Sequence, residues 1–378
     1  MATVRKVANP LLSLFDDSAH VEARHGVNGT RLYDVAIDFG APDKETHALG
    51  HGAALVDLTN RGLLVITGAD RAPWLHGLCT QDIKGLEHSH GAYACHVDIK
   101  GRIMADMRVG VWQEMILMDL EPGLAPGLRR ALKRFVVMED VKVVDRTNVT
   151  GTIGLIGPQA AAVLQDLCGL SFDQLPTHHL QAAQIANLEV LVAATDQFGV
   201  PGFRISVARQ DTAELWQHLL QAAPQLQPCG LGALEHAQLK AGIPRFGVEL
   251  SPKVLFNEAE LTTAVSFTKG CYLGQEVVER VDARGRVGRR LLGLVLQNAT
   301  AQNLPPNGSA ISNDQRKLGH LTSVAWDEEL NAAIALGFIH RADNEPGARL
   351  KVDSDWEAIV VERGHWGVEG LGEVVGRS

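Results

Sequence analysis

The segment Lys269-Gly270-Cys271-Tyr272-Leu273-Gly274-Gln275-Glu276 concentrates more chemistry than any other stretch of the chain. Two glycines bracket a thiol and a phenol, a composition that suits a turn and not a buried strand. Gly270 frees the backbone beside Cys271, and Lys269 brings a positive charge that favours the thiolate if its side chain folds back. Gln275 and Glu276 add an amide and a carboxylate. A helix starting near Gly274 puts both in its first turn, where an acid is favourable. Cys271 then reads in two ways: a reactive or ligand-forming thiol, or a small apolar side chain filling a turn.

Arg280, Arg284, Arg286, Arg289 and Arg290 follow at once, tempered by Asp282. Such a run grips phosphate, RNA or an acidic partner surface, or is a solvated linker. No aromatic residue interleaves it for base stacking. His88, His90, Cys95 and His96 hold metal-capable atoms, as do Cys168 and His178-His179, but in spacings that match no familiar zinc pattern. The chain contains no P-loop, dinucleotide fingerprint, G-x-S-x-G or H-E-x-x-H.

The elements that must position these residues are legible in stretches. Periodicity predicts a helix over 43–51, a strand over 63–67, a helix over 69–79, and strands over 93–99, 103–112 and 115–120. A helix over 128–136 and a strand over 141–144 follow. The pattern then restarts: Ile66 to Leu78 and Leu155 to Leu167 share strand, glycine, helix and a final leucine. This points to two similar halves, each with helices packed on an antiparallel sheet. A hairpin across Gly199-Val200-Pro201-Gly202 and helices over 212–222 and 232–241 complete the second half. Beyond Arg289, short strands over 291–296, 332–338, 349–352 and 358–361 alternate with turns, the mark of a small barrel-like β-module of about 90 residues.

A chain of 378 residues exceeds one hydrophobic core and implies two or three domains. Its 35 basic and 44 acidic residues give a net charge of −9, which excludes a chain-wide grip on nucleic acid or an anionic membrane. Five cysteines without a C-x-x-C point to a reducing compartment. The apolar residues Leu11, Leu12, Leu14 and Phe15, closed by Asp16 and Asp17, are too few for a signal-peptide core, so the expected location is the cytoplasm, with no membrane span.

The octet 269–276 resembles the signature of the YgfZ family, folate-binding-type proteins linked to iron–sulfur cluster assembly and repair. They are relatives of the T-protein, the aminomethyltransferase of the glycine cleavage system. The likeness extends to Gly230-Leu231-Gly232-Ala233, to residues 241–250 (AGIPRFGVEL) and to Asn257-Glu258-Ala259. Upstream, residues 54–58 (ALVDL), 67–71 (TGADR), 75–82 (LHGLCTQD) and Lys100-Gly101-Arg102 are also similar to that family. The resemblance spans most of residues 35–295.

It implies an α+β fold: two related halves form a folate-binding-type core with a central cleft over residues 1–284, split roughly into 52–150 and the remainder. A C-terminal β-barrel over 285–378 follows. It implies that Cys271 carries the function, supported by Lys269, Gly270, Tyr272, Gly274, Gln275, Glu276 and Arg280. Tetrahydrofolate is the implied cofactor, with Asp106 as the acid in the cleft, although the family's paired acids are reduced here to Ala105-Asp106. Val200, Leu234, Gln238 and Lys240 match folate-contact positions but are substituted. Each lost charged hydrogen bond is worth about 1.5–3 kcal/mol of ligand binding.

Three functions follow as expectations. The first is cluster assembly or repair through Cys271, with an iron–sulfur carrier or client protein as partner. A single thiolate cannot complete a cluster, so its contact with one is transient. The second is a tetrahydrofolate-dependent aminomethyl or methyl transferase. The third is a tRNA-modification or RNA-binding factor using the arginine run.

Overall fold

The computed structural model describes residues 9–25, 31–284, 287–313, 315–343 and 345–367. It divides into two compact units, one from Met1–Val97, Met104–Glu235 and Thr263–Leu273, the other from Asp98–Ile103, His236–Thr262 and Gly274–Ser378.

The first unit holds two antiparallel-based sheets. Five strands run in the order Gly91–Val97, Ile103–Trp112, Met115–Leu120, Gly62–Thr67 and Lys142–Asp145. Six run in the order Leu180–Ile185, Leu188–Thr195, Gly202–Ala208, Thr150–Ile156, Ala54–Asp57 and Gln227–Cys229, the last joined in parallel. Each sheet buries one face under helices. Leu64, Ile66, Met107, Ile116 and Met118 form one core with Trp74, Leu75, Leu128 and Leu132. Leu155, Val192, Phe203 and Ile205 form the other with Leu164, Leu215 and Trp216.

The internal repeat has a backbone cause. Gly68 and Gly157 end equivalent strands at φ +111° and +127°, conformations that side chains resist. A β-carbon on Gly68 would collide with the Asp140 carbonyl, and one on Gly157 would lie 2.5 Å from the Gly52 oxygen. Both turns lead straight into helices, Arg71–His76 and Ala160–Cys168.

The second unit contains a closed barrel of six strands: Arg289–Gln297, Ala332–His340, Lys317–Asp327, Ala310–Ser312, Arg349–Val352 and Trp356–Val361. Alternate residues such as Leu292, Leu294, Ala333, Ala335 and Val360 fill its core. The architecture is therefore α+β with a C-terminal β-barrel, as expected. Among the described residues no helix is long and apolar enough to cross a membrane.

The main correction concerns the first long helix. Expected over 69–79, it runs only over Arg71–His76, and the carbonyls of His76 and Cys79 accept from an external donor.

Candidate functional site

That donor is Lys269. Its ammonium donates to the carbonyl oxygens of His76 at 2.6 Å, Cys79 at 2.6 Å and Gln81 at 2.9 Å. Helix C-termini leave carbonyls without intrahelical partners, and a cation is the favoured cap there. The Lys269 charge also lies 4.9 Å from the centre of the Tyr272 ring. The Lys269 N–H groups are thus spent on the 76–81 segment. Burial, the largest cause, lowers its pKa to about 8.

The same segment holds the loop at further points. Leu273 N–H donates to the Gly77 carbonyl at 3.0 Å, and Ser266 N–H to that of Thr80 at 3.1 Å. Thr80 Oγ1 donates to the Ala264 carbonyl at 2.5 Å. Tyr272 is buried as an anchor, while Cys271, between the pinned residues, is exposed. Cys79, Cys95 and Cys229 are buried, and burial pushes the Cys79 thiol up to about 12 and the other two upward as well. Of the five thiols, the one in the motif is the one offered to solvent.

The octet straddles the two units, Lys269–Leu273 falling in the first and Gly274 onward in the second. Gly274, at φ +82°, opens the expected helix, Gln275–Arg284. On it, Gln275 Nε2 donates to Glu279 at 2.6 Å, and Arg280 lies 4.0 Å from Glu276, one helical turn away. Other motif segments converge on this helix within the second unit. A β-carbon on Gly101 would touch Val277 at 3.0 Å, and Asn257 Nδ2 donates to the Val278 carbonyl at 3.0 Å. Glu249, buried, accepts Arg245 N–H at 2.9 Å and the Ser323 hydroxyl at 2.6 Å. These motif residues hold the fold.

The four positions that the resemblance assigns to folate contacts lie in built surroundings. Val200, Leu234 and Gln238 are buried, and the Lys240 ammonium is taken by Asp327 at 3.0 Å and Glu329 at 2.6 Å. Asp106 is 2% exposed, and its Oδ2 accepts the Tyr93 hydroxyl at 3.1 Å and Arg108 at 3.2 Å. Burial raises its pKa against the pull of Arg108.

Sequence reading missed a buried ionic network in the first unit. Arg61 binds Asp119 in a bidentate pair, 2.9 Å from Nε and 2.7 Å from a terminal nitrogen, and reaches Glu121 at 2.9 Å. Arg204 shares Asp119, and Gln197 donates to Glu121 at 2.8 Å. The signal was a lone charge inside apolar strand runs: Met107-Arg108-Val109, Met118-Asp119-Leu120 and Phe203-Arg204-Ile205.

The remaining candidates are dispersed or already paired. His88 packs on Trp112, His90 on His179, and buried His96 bonds the Leu78 carbonyl. Among the described residues no three His, Cys, Asp or Glu side chains are grouped to hold a metal. Arg289 pairs with Glu258 at 3.1 Å and stacks on Phe338, and Arg290 pairs with Glu260 at 2.6 Å. Arg286 and the side chain of Arg284 lie outside the described residues.

A model of the GCVT N-terminal domain matches residues 17–269, and one of the glycine cleavage T-protein C-terminal barrel domain matches residues 289–363. The chain belongs to the GCVT family. Relatives of this GCVT-family chain include an aminomethyltransferase of Caldanaerobacter subterraneus subsp. tengcongensis, 25% identical over 336 residues, or 86% of this chain and 88% of the relative. A putative chloroplastic transferase of Arabidopsis thaliana is 27% identical over 329 residues, covering 87% and 74% of the two chains. The crystal structure of glycine cleavage system aminomethyltransferase T from Bartonella henselae superposes with a TM-score of 0.83 over 94% of this chain and 96% of that one, at 20% identity. The GCVT-family chain therefore has the aminomethyltransferase-like fold.

Proposed function

We propose that this GCVT-family chain acts as a YgfZ-type factor in iron–sulfur cluster assembly or repair, with Cys271 as its working group. The observation that carries this reading is the exposed thiol on a loop whose neighbours are tied down by Lys269, Tyr272 and Leu273. An accessible thiolate is a soft ligand for iron, and one fixed in place loses less freedom when it meets a carrier or client. A lone ligand can make only a transient contact with a cluster supplied by that partner, the cytoplasm being the proposed location. In a cluster-dependent enzyme assay, Cys271→Ser should abolish the chain's contribution while the protein stays folded. Full activity in that variant would remove the reading.

Tetrahydrofolate-dependent aminomethyl transfer is the second reading, and the comparisons favour it more directly, since relatives named aminomethyltransferase match across most of the chain. Against it stand the apolar Val200 and Leu234 and the committed Lys240 at positions that match folate contacts. Titration calorimetry with tetrahydrofolate separates the two. Micromolar binding retained in Cys271→Ser would favour the transferase.

A further inference from the structure

The helix Ala125–Lys133 and the loop after it put charge and exposed apolar surface side by side in the first unit. Arg130, Lys133 and Arg134 are exposed, and among the described residues no carboxylate pairs with them. Phe135, Val137 and Met138 follow at 36%, 81% and 94% exposure. Cations suit the last turn of a helix for its own sake. Nearly bare valine and methionine beside them do not, since each leaves apolar area in water.

The loop is built, not frayed. Val136 and Val141 pack on the core at its two ends. Between them the Glu139 carboxylate accepts the Val137 N–H at 2.8 Å and the Met138 N–H at 3.0 Å. Asp140 N–H donates to the Asp70 carboxylate at 2.8 Å, and the Asp140 carboxylate accepts Ala69 N–H at 3.0 Å. Val137 and Met138 are thus presented on a fixed frame, which saves a partner the cost of ordering them. The frame also leads to the thiol. Trp74 donates its indole N–H to the Phe135 carbonyl at 3.0 Å. Two residues along the same short helix, the His76 carbonyl accepts Lys269 of the Cys271 loop at 2.6 Å.

We propose that this loop docks the protein that meets Cys271, through an apolar pocket for Val137 and Met138 rimmed by carboxylates that face Arg130, Lys133 and Arg134. The partner is the one required if Cys271 is the working group, so the docking surface rests on that reading. An apolar centre inside a charged rim is the anatomy of a protein interface, and a methionine adapts to the pocket it enters. Charge fixes the partner's sign: residues 125–140 carry four cations against two carboxylates in a chain of net charge −9. An anionic bilayer is the poorer fit, because the Glu139 carboxylate is bound to the amides of the very residues that would have to enter it.

The test is photo-crosslinking of the full chain in cells, with benzoylphenylalanine replacing Met138 in one form and Phe267, exposed in the Cys271 loop, in another. Mass spectrometry identifies the adducts. Both positions should trap the same acidic protein. Val137→Asp, or Lys133→Glu with Arg134→Glu, should cut the Phe267-position adduct about tenfold or more. These side chains are exposed, so the melting temperature should hold. Different proteins at the two positions, no protein adduct at position 138, or an adduct unchanged in the folded variants would overturn the proposal. So would sedimentation with vesicles of equal parts phosphatidylcholine and phosphatidylglycerol that is lost in Met138→Asp, which would assign the loop to lipid. Full activity in Cys271→Ser would remove the reading on which the docking surface rests. Unmatched adducts alongside lost activity in that variant would remove the docking surface alone.

Discussion

Lys269 Nζ donates to the carbonyl oxygen of Cys79 at 2.6 Å, tying the loop that carries an exposed thiol to a segment that carries a fully buried one. The two cysteines stand on tied segments in opposite environments. Cys79 is sealed and its thiol pushed up to about 12, whereas Cys271 meets solvent.

Brief alkylation of the native chain should therefore modify Cys271 first. Cys168, half-buried with its thiol donating to the Leu164 carbonyl, should follow slowly. Cys79, Cys95 and Cys229 should react only after denaturation. Peptide mass mapping over a time course checks the order.

Lys269→Met should destabilise the chain by about 1–3 kcal/mol, since three carbonyls lose a cationic donor in a half-buried site. Denaturant unfolding gives the loss, and faster amide exchange at residues 266–273 would show that the loop has come loose. This role was not readable in sequence, because the acceptors are backbone atoms 188 to 193 residues away. Cys271 itself was readable, because flanking glycines and a charged neighbour mark a turn. The fold was legible wherever apolar residues alternate cleanly: strands Ile103–Trp112 and Met115–Leu120 and helix Thr212–Ala222 fall where the periodicity puts them. Strand Lys317–Asp327 is hidden in the sequence because a register shift between Leu321 and Ser323 breaks its period, and because Thr322 and Ser323 are buried polar residues.

Asp119→Leu should cost about 3–5 kcal/mol, because it leaves Arg61 and Arg204 buried without their shared counter-ion. A comparable loss of unfolding free energy is expected whether or not ligands are present. A change below about 1 kcal/mol would mean that the network is solvated in the native protein.

Gly68→Ala and Gly157→Ala should each be strongly destabilising, by about 2 kcal/mol or more, since both combine positive φ with a collision against backbone. Gly127→Ala, inside the helix Ala125–Lys133 with open space around it, should be neutral or stabilising by up to about 1 kcal/mol. Thermal melts of the three variants read the contrast directly.

Stability should fall on mild acidification. Burial, the largest cause, holds His178 at about 4, below the usual 6.5, with the pull of Asp196 opposing it. The unfolded chain takes up this proton first, so between pH 6.5 and 4 it binds more protons than the native state. The contribution is fully present above 6.5 and is lost as pH falls toward 4, by about 3 kcal/mol at most. His178→Asn should flatten that part of the stability–pH curve.

The most direct test places Cys271→Ser and the unaltered chain side by side in cells or extracts lacking the protein, with the activity of a cluster-dependent enzyme as readout. Cys271 is exposed, so the substitution should leave the melting temperature unchanged. The serine variant should give activity at the level of the deletion, and the unaltered chain should restore it fully. Equal restoration by both would contradict it.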